Sequence, residues 1–305
     1  MANLYSKKKF LGKLRNLLNL PYQIDGFERV IRSFQSLELF DQTKRIQQSS
    51  KNPLNQFGKK CFSQTDEDGI TLEILRRMDA LDSGVYVEFG VGDGSENNTL
   101  ILAAMGWKGA WMGNEELAFD LQKTDAHRFA YIKGWITLEN ITNSIEAGLS
   151  QVKAKAIDVL SFDLDGNDIY FIEKILCSGF KPKLFIVEYN AKFPPPVKFQ
   201  IQYDPQHQWV SDDYFGASLS SYVELFSQFG YHLVCCNAHT GSNAFFIDEA
   251  YADRFSDVPV DINDIYVEPR YFLYQNYGHP GSIKTIENIF SASHVSQKNS
   301  LENKS

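Results

Sequence analysis

From Val85 to Asp248, short apolar runs alternate with stretches whose apolar positions recur every three or four residues. The runs "VYVEF" (85–89), "GAWM" (109–112), "FAYIKGWI" (129–136), "IDVLSF" (157–162) and "KLFIVEY" (183–189) read as strands. Helices are predicted between them, over Thr99–Met105, Leu117–Thr124, Ile141–Val152 and Ile169–Cys177. Strands apolar on both faces and separated by helices imply a parallel sheet covered on both sides. A long loop follows, then a helical pattern of Leu219, Tyr222, Val223 and Phe226. The chain next changes habit: "YHLVCCN" (231–237) and "NAFFID" (243–248), joined by "AHTGS", read as an antiparallel hairpin. The expected fold is α/β, mostly parallel, with a C-terminal antiparallel hairpin and N-terminal helices.

Upstream, Ile70, Ile74 and Met78 share one face of a helix. Ser63 and Thr65 are its candidate N-caps, and Asp66, Glu67 and Asp68 suit its positive end. Residues 1–60 form a separate helical region with two amphipathic patterns. One is Phe10, Leu11, Leu14, Leu17 and Leu18; the other is Phe27, Val30, Ile31, Phe34 and Leu37. The main domain is expected over 61–250, a packed extension over 251–290 and a disordered tail over 291–305.

A net charge of -8 argues against a nucleic-acid partner. Lys7, Lys8, Lys9, Lys13 and Arg15 are the only charges before Pro21. They make residues 7–19 a possible contact with a membrane surface or a partner, although a helical cap packed on the domain is the plainer expectation. No apolar run reaches the length of a membrane span and no secretion signal is evident. The four cysteines include no C-x-x-C pair. A cytoplasmic setting is expected, with peripheral attachment at the inner membrane face as the variant; oligomeric state is open.

The stretch "VYVEFGVGDGSENNT" carries the first candidate chemistry. Glu88 ends an apolar strand, then Gly90, Gly92 and Gly94 precede a helix whose caps could be Ser95 or Asn97. Such glycines let backbone approach a ligand, and a helix N-terminus faces it. A dinucleotide fingerprint needs its third glycine where Ser95 stands. The alternative is a tight strand–helix turn without a ligand.

The second stretch is "LSFDLDGNDIYF" (160–171). A phosphatase of the haloacid-dehalogenase type would carry its nucleophilic Asp at the start of the domain, which Asp163 is not. A metal-dependent glycosyl or nucleotidyl transferase could use Asp163-Leu164-Asp165 to hold Mg²⁺ or Mn²⁺. That reading leaves the glycine turn without a role. Asn167 and Asp168 could simply cap the next helix.

Taken together, the chain resembles S-adenosylmethionine-dependent methyltransferases of class I, in particular the FkbM-like branch found with bacterial surface-polysaccharide biosynthesis. The resemblance runs from Phe62 to Phe246 and rests on "FSQTDEDGI", "VEFGVGDG", "SFDLDGND", "IVEYNA" and "GSNAFFI", in that order. It implies a Rossmann-like methyltransferase fold, S-adenosylmethionine as cofactor and O-methylation, often of a sugar hydroxyl. Cofactor binding would then fall to Glu88, Phe89, Gly90, Gly92, Asp93 and Gly94. Asn114 or Glu115 would hold the ribose, where Gly113 stands in place of the usual acid, and Thr137 the adenine edge. Asp163 would serve as base or metal ligand, with Asp165, Glu188 and Asn190 as partners for a divalent cation such as Mg²⁺ and His239 as reserve base. The aromatic loop between Asn190 and Ser218, with four prolines, suits a sugar or other small-molecule acceptor. His207, Trp209, Asp212 and Asp213 are its expected contacts. A non-catalytic protein on the same fold is the third possibility.

Overall fold

The computed structural model describes residues 2–270 and 283–290, with side chains described from Gly26 onward except those of 284, 285 and 288. Seven strands form one sheet in the order β3-β2-β1-β4-β5-β7-β6. Strands β1 (Val85–Phe89), β2 (Lys108–Gly113), β3 (Phe129–Lys133), β4 (Val159–Phe162) and β5 (Leu184–Glu188) are parallel. The hairpin β6 (Tyr231–Cys236) and β7 (Asn243–Asp248) inserts antiparallel, with β7 against β5 and β6 at the edge. This is the mostly parallel Rossmann-like sheet with an antiparallel end that the sequence implied.

Alternation along each strand sends side chains to two cores. Val87, Phe89, Leu160, Phe162, Phe185 and Val187 pack beneath α4 (Ile141–Gln151), α5 (Asp168–Cys177) and α6 (Leu219–Ser227). Tyr86, Trp111, Val159, Leu184 and Ile186 face α2 (Glu67–Arg77), α3 (Leu100–Ala104) and, beyond the short α7 (Ile262–Ile265), α8 (Ile283–Phe290). Each fully buried large side chain contributes about 1.5–3 kcal/mol. Gly148 lets α4 lie directly on β2, since a Cβ there would come 2.6 Å from that of Ala110.

Several local expectations are corrected. The helix expected over 117–124 is only a 3-10 turn at Leu121–Lys123. Upstream of it, Ala118 N–H is bound to Asp93 O, and the Phe119 ring packs at 5.4 Å on Phe290 of α8. These tertiary ties override the helical period. The two N-terminal patterns lie in one helix, α1 (Ala2–Ser49), which runs through Pro21. Leu39, Thr43 and Gln47 are buried, whereas Phe27, Val30, Ile31, Phe34 and Leu37 are exposed, so the second apolar face is not packed on the domain as a cap would be. The side chains of residues 7–19 and the tail 291–305 lie outside the described residues. Among the described residues, no helix is long and apolar enough to cross a membrane.

Asp66 rather than Ser63 or Thr65 holds the N-cap position of α2, although the Ser63 hydroxyl accepts from the first-turn N–H of Asp68 at 3.3 Å. The acids at that helix start turn inward. Asp68 Oδ2 accepts from the backbone N–H groups of Cys61, Phe62 and Ser63 at 2.6–2.9 Å. Asp66 accepts from Ala238 and His239 N–H, both at 3.1 Å, which ties the hairpin turn to α2.

Candidate active site

The crossover between β1 and β4 reverses the direction of winding, and ligands bind at such points beyond the carboxyl ends of the strands. A cleft of about 1180 Å³ opens there. Its walls come from the glycine turn, the ends of β2, β4 and β5, and the long loop after β5.

The glycine turn is shaped by close approach. Gly90 has φ +80°, and a Cβ there would lie 1.4 Å from the carbonyl oxygen of Asp163, so only glycine lets the ends of β1 and β4 meet. Gly92 has φ +51° and nothing within 4 Å of a would-be Cβ, and it borders the cleft. Gly94 packs beneath Trp111 and Phe119 instead. Phe89 is buried with its ring 4.7 Å from Phe162. Asp93 Oδ1 accepts from Ser95 N–H at 2.9 Å within the turn.

Glu88 does not border the cleft. Its two oxygens accept from Asn98 N–H at 2.8 Å and Thr99 N–H at 3.0 Å, and Thr99 Oγ1 donates as well. It thus fixes the turn that leads into α3, whose N-cap position is held by Thr99 rather than by Ser95 or Asn97. Burial pushes its carboxyl up to about 7 against these donors. Of the six residues expected in the cofactor turn, Gly90 and Gly92 border the cleft, joined by Val91.

Asn114 and Glu115 border the cleft with exposed side chains. Thr137 sits in the turn before α4, its N–H donating to Asn140 Oδ1 at 2.8 Å, and Trp135 rather than Thr137 forms the wall.

The acidic cluster lies at the floor. Asp163, Asp165 and Glu188 each bring a carboxylate oxygen within 4.8 Å of the others. The β4 loop that carries two of them is held by Asp168, whose carboxylate accepts from Leu164 N–H at 2.7 Å and Gly166 N–H at 2.8 Å. Burial, then repulsion from Asp165 and Asp168, pushes Asp163 well above the usual carboxylate range. Burial, then repulsion from Asp163, does the same to Glu188, and the two are hydrogen-bonded. A carboxyl–carboxylate pair of this kind holds one proton between two oxygens.

Asn190 borders the cleft, but its amide serves the loop. Nδ2 donates to Asp213 O at 2.9 Å and Phe215 O at 3.1 Å. His207, Trp209, Asp212 and Asp213 all border the cleft. Trp209 is 46% exposed, its indole N–H bound to Asp212 O at 2.7 Å and its ring 5.8 Å from Phe215. Asp213 pairs with Lys192.

His239 is not brought to the cluster. The hairpin turn folds under α1, and its buried Nδ1 meets the hydroxyl of Thr43. Gln64, Trp135, Lys192 and Ser242 are cleft residues that sequence reasoning missed. Gln64 and Ser242 lie within two of the quoted motifs, "FSQTDEDGI" and "GSNAFFI", which was the available signal.

No protein-family model matches the chain, and no curated protein matches it. Among solved structures, a protein from Nostoc punctiforme described as a candidate O-methyltransferase is 12% identical with TM-score 0.34, over 59% of this chain and 55% of its own. The glycopeptide N-methyltransferase MtfA with sinefungin is 11% identical with TM-score 0.31, over 57% of this chain and 82% of its own. An O-methyltransferase family protein from Burkholderia thailandensis is 10% identical with TM-score 0.32, over 72% and 70%. This chain therefore spans little more than half the length of the first of these structures.

Proposed function

We propose that this chain is an S-adenosylmethionine-dependent O-methyltransferase acting on a hydroxyl of a sugar, glycan or related small molecule. The observation that carries the reading is the glycine turn at the β1/β4 switch point. Gly92, in a left-handed conformation, leaves open the space a side chain would fill, and that space belongs to the cleft.

The residues fit the cofactor. Gly90, Val91 and Gly92 would border its amino-acid half, and Asn114 and Glu115 offer polar groups to ribose hydroxyls. When bound, it supplies an electrophilic methyl group on a sulfonium. The remaining chemistry belongs to this chain. The Asp163–Glu188 pair, holding one proton, would keep one carboxylate oxygen free to take the proton of an acceptor hydroxyl whose oxygen receives the methyl, the sulfur leaving as a neutral thioether. Trp209 offers a flat face to a sugar ring, and Asp212 offers acceptors to its hydroxyls. Holding the acceptor oxygen in line with the transferred methyl can account for a large share of the rate.

Calorimetric titration with S-adenosylhomocysteine tests the reading. Saturable binding is expected, and Gly92→Arg, which fills the open space, should abolish it without unfolding the protein. No binding to the folded wild type would sink the proposal.

A divalent cation is a second component that one observation favours: the three carboxylates converge within 4.8 Å. Hard cations bind such oxygens. Asp163, Asp165 and Glu188 would then hold the ion and lower the pKa of a bound acceptor hydroxyl. A methyl-transfer rate unchanged by EDTA would remove the cation from the scheme. Metal-dependent glycosyl transfer, which uses the same carboxylates, predicts nucleotide-sugar binding with Mn²⁺ instead.

A further inference from the structure

We propose that His207, carried by the acceptor loop, reads the polar edge of the cofactor's adenine in a side pouch of the cleft. The inference rests on the methyltransferase reading above and adds a cofactor contact outside the strand-end motifs. The pouch, about 90 Å³, shares Gly113, Asn114, Trp135, Leu164 and His207 with the main cleft, so a ring entering from the cleft need be only partly enclosed. Ile136 and Phe171 supply apolar walls, and Trp135 an aromatic one. A slot with flat apolar faces and a polar group at its edge suits a planar heterocycle.

His207 is held in place by its surroundings. Asn167 grips the turn before it from both sides: Nδ2 donates to Asp204 O at 2.7 Å, and Oδ1 accepts from Asp204 N–H at 3.2 Å. The Trp135 indole N–H donates to Pro205 O at 3.0 Å, and His207 N–H closes the turn on Asp204 O at 2.9 Å. The imidazole lies against Gly166, where a Cβ would come 2.5 Å from Cδ2 and 3.4 Å from Nε2. Gly166 is therefore small for the sake of this ring. Yet Nε2 is buried without a hydrogen-bond partner. Such groups are rare in folded proteins and call for a partner. His207 borders the pouch, and a turn of its ring would bring Nε2 to a ligand there.

The test uses the full chain and two probes, S-adenosylhomocysteine and S-inosylhomocysteine, in which an oxo group replaces the 6-amino group. Both are titrated calorimetrically against wild type, His207→Ala, His207→Gln and Gly166→Ala, with circular dichroism to establish folding. Wild type should prefer the adenine compound by about tenfold, the effect of one hydrogen bond to a buried group. His207→Ala should weaken its binding by a similar factor and erase the preference, and His207→Gln should restore part of it. Gly166→Ala, whose methyl displaces the ring, should behave like His207→Ala. A folded His207→Ala protein that keeps wild-type affinity and preference overturns this proposal alone. Failure of the wild type to bind either probe overturns it together with the methyltransferase reading.

Discussion

Two acidic clusters in this molecule use the same residue types to opposite ends. Asp66, Glu67 and Asp68 are buried and ringed by donors: five backbone N–H groups and the Ser63 hydroxyl serve Asp66 and Asp68, and Thr65, Asn237 and Asn243 serve Glu67. Asp163, Asp165 and Glu188 are more accessible and face one another across the cleft floor. The first arrangement holds together α2, the preceding loop and the hairpin turn. The second stores mutual repulsion that a proton, a cation or a substrate can relieve. Carboxylates surrounded by fixed donors indicate architecture, and carboxylates facing each other indicate chemistry.

The largest effect should come from breaking the first cluster. Asp68→Ala leaves the N–H groups of Cys61, Phe62 and Ser63 buried without their acceptor. It should cost about 4 kcal/mol, read from urea unfolding, since each orphaned group costs about 1–3 kcal/mol. The matching change in the second cluster should do the reverse. Asp163→Asn keeps a donor toward Glu188 and relieves repulsion from Asp165 and Asp168, so the melting temperature should hold or rise while the proposed methyl transfer falls by about a hundredfold. A large loss of stability there would show that the cleft acids are architectural too.

Acidification sharpens the contrast next. Burial raises Asp66 and Asp68 to about 6 and Glu88 to about 7, all above their unfolded values. Between those values and the unfolded ones near 4, the native state binds more protons than the unfolded state. Stability should therefore rise as pH falls from about 7.5 to 5, by roughly 2 kcal/mol per group at most. Unfolding midpoints flat across that range would count against it. The smallest effect is expected at the rim. Lys192→Ala removes an ion pair whose side chains are both more than half exposed, and the unfolding midpoint should not move.

Much of the fold was legible because strand periodicity is strong and the βα order leaves few topologies. The site was legible in its motifs but not in its pairings. "DED" at 66–68 and "DLD" at 163–165 look alike in the chain, and nothing local says which one receives N–H donors from 170 residues away. Glu88 stood where the resemblance placed a cofactor residue, yet the neighbouring turn uses both its oxygens. His239 stood in a loop near the cluster in sequence logic, but the turn carrying it is drawn under α1 by Asp66. Segment 117–124 had a helical period that contacts with Asp93 and Phe290 override.

The position of β7 also sets a timetable for synthesis. β7 lies between β5 and β6, so β5 has an unpaired edge until the chain has grown past Asp248. A nascent chain that already holds all five parallel strands still exposes that edge, a template for pairing with other chains. The last two strands thus decide when the growing polypeptide stops being prone to association, and pausing between Glu188 and Tyr231 would lengthen that interval.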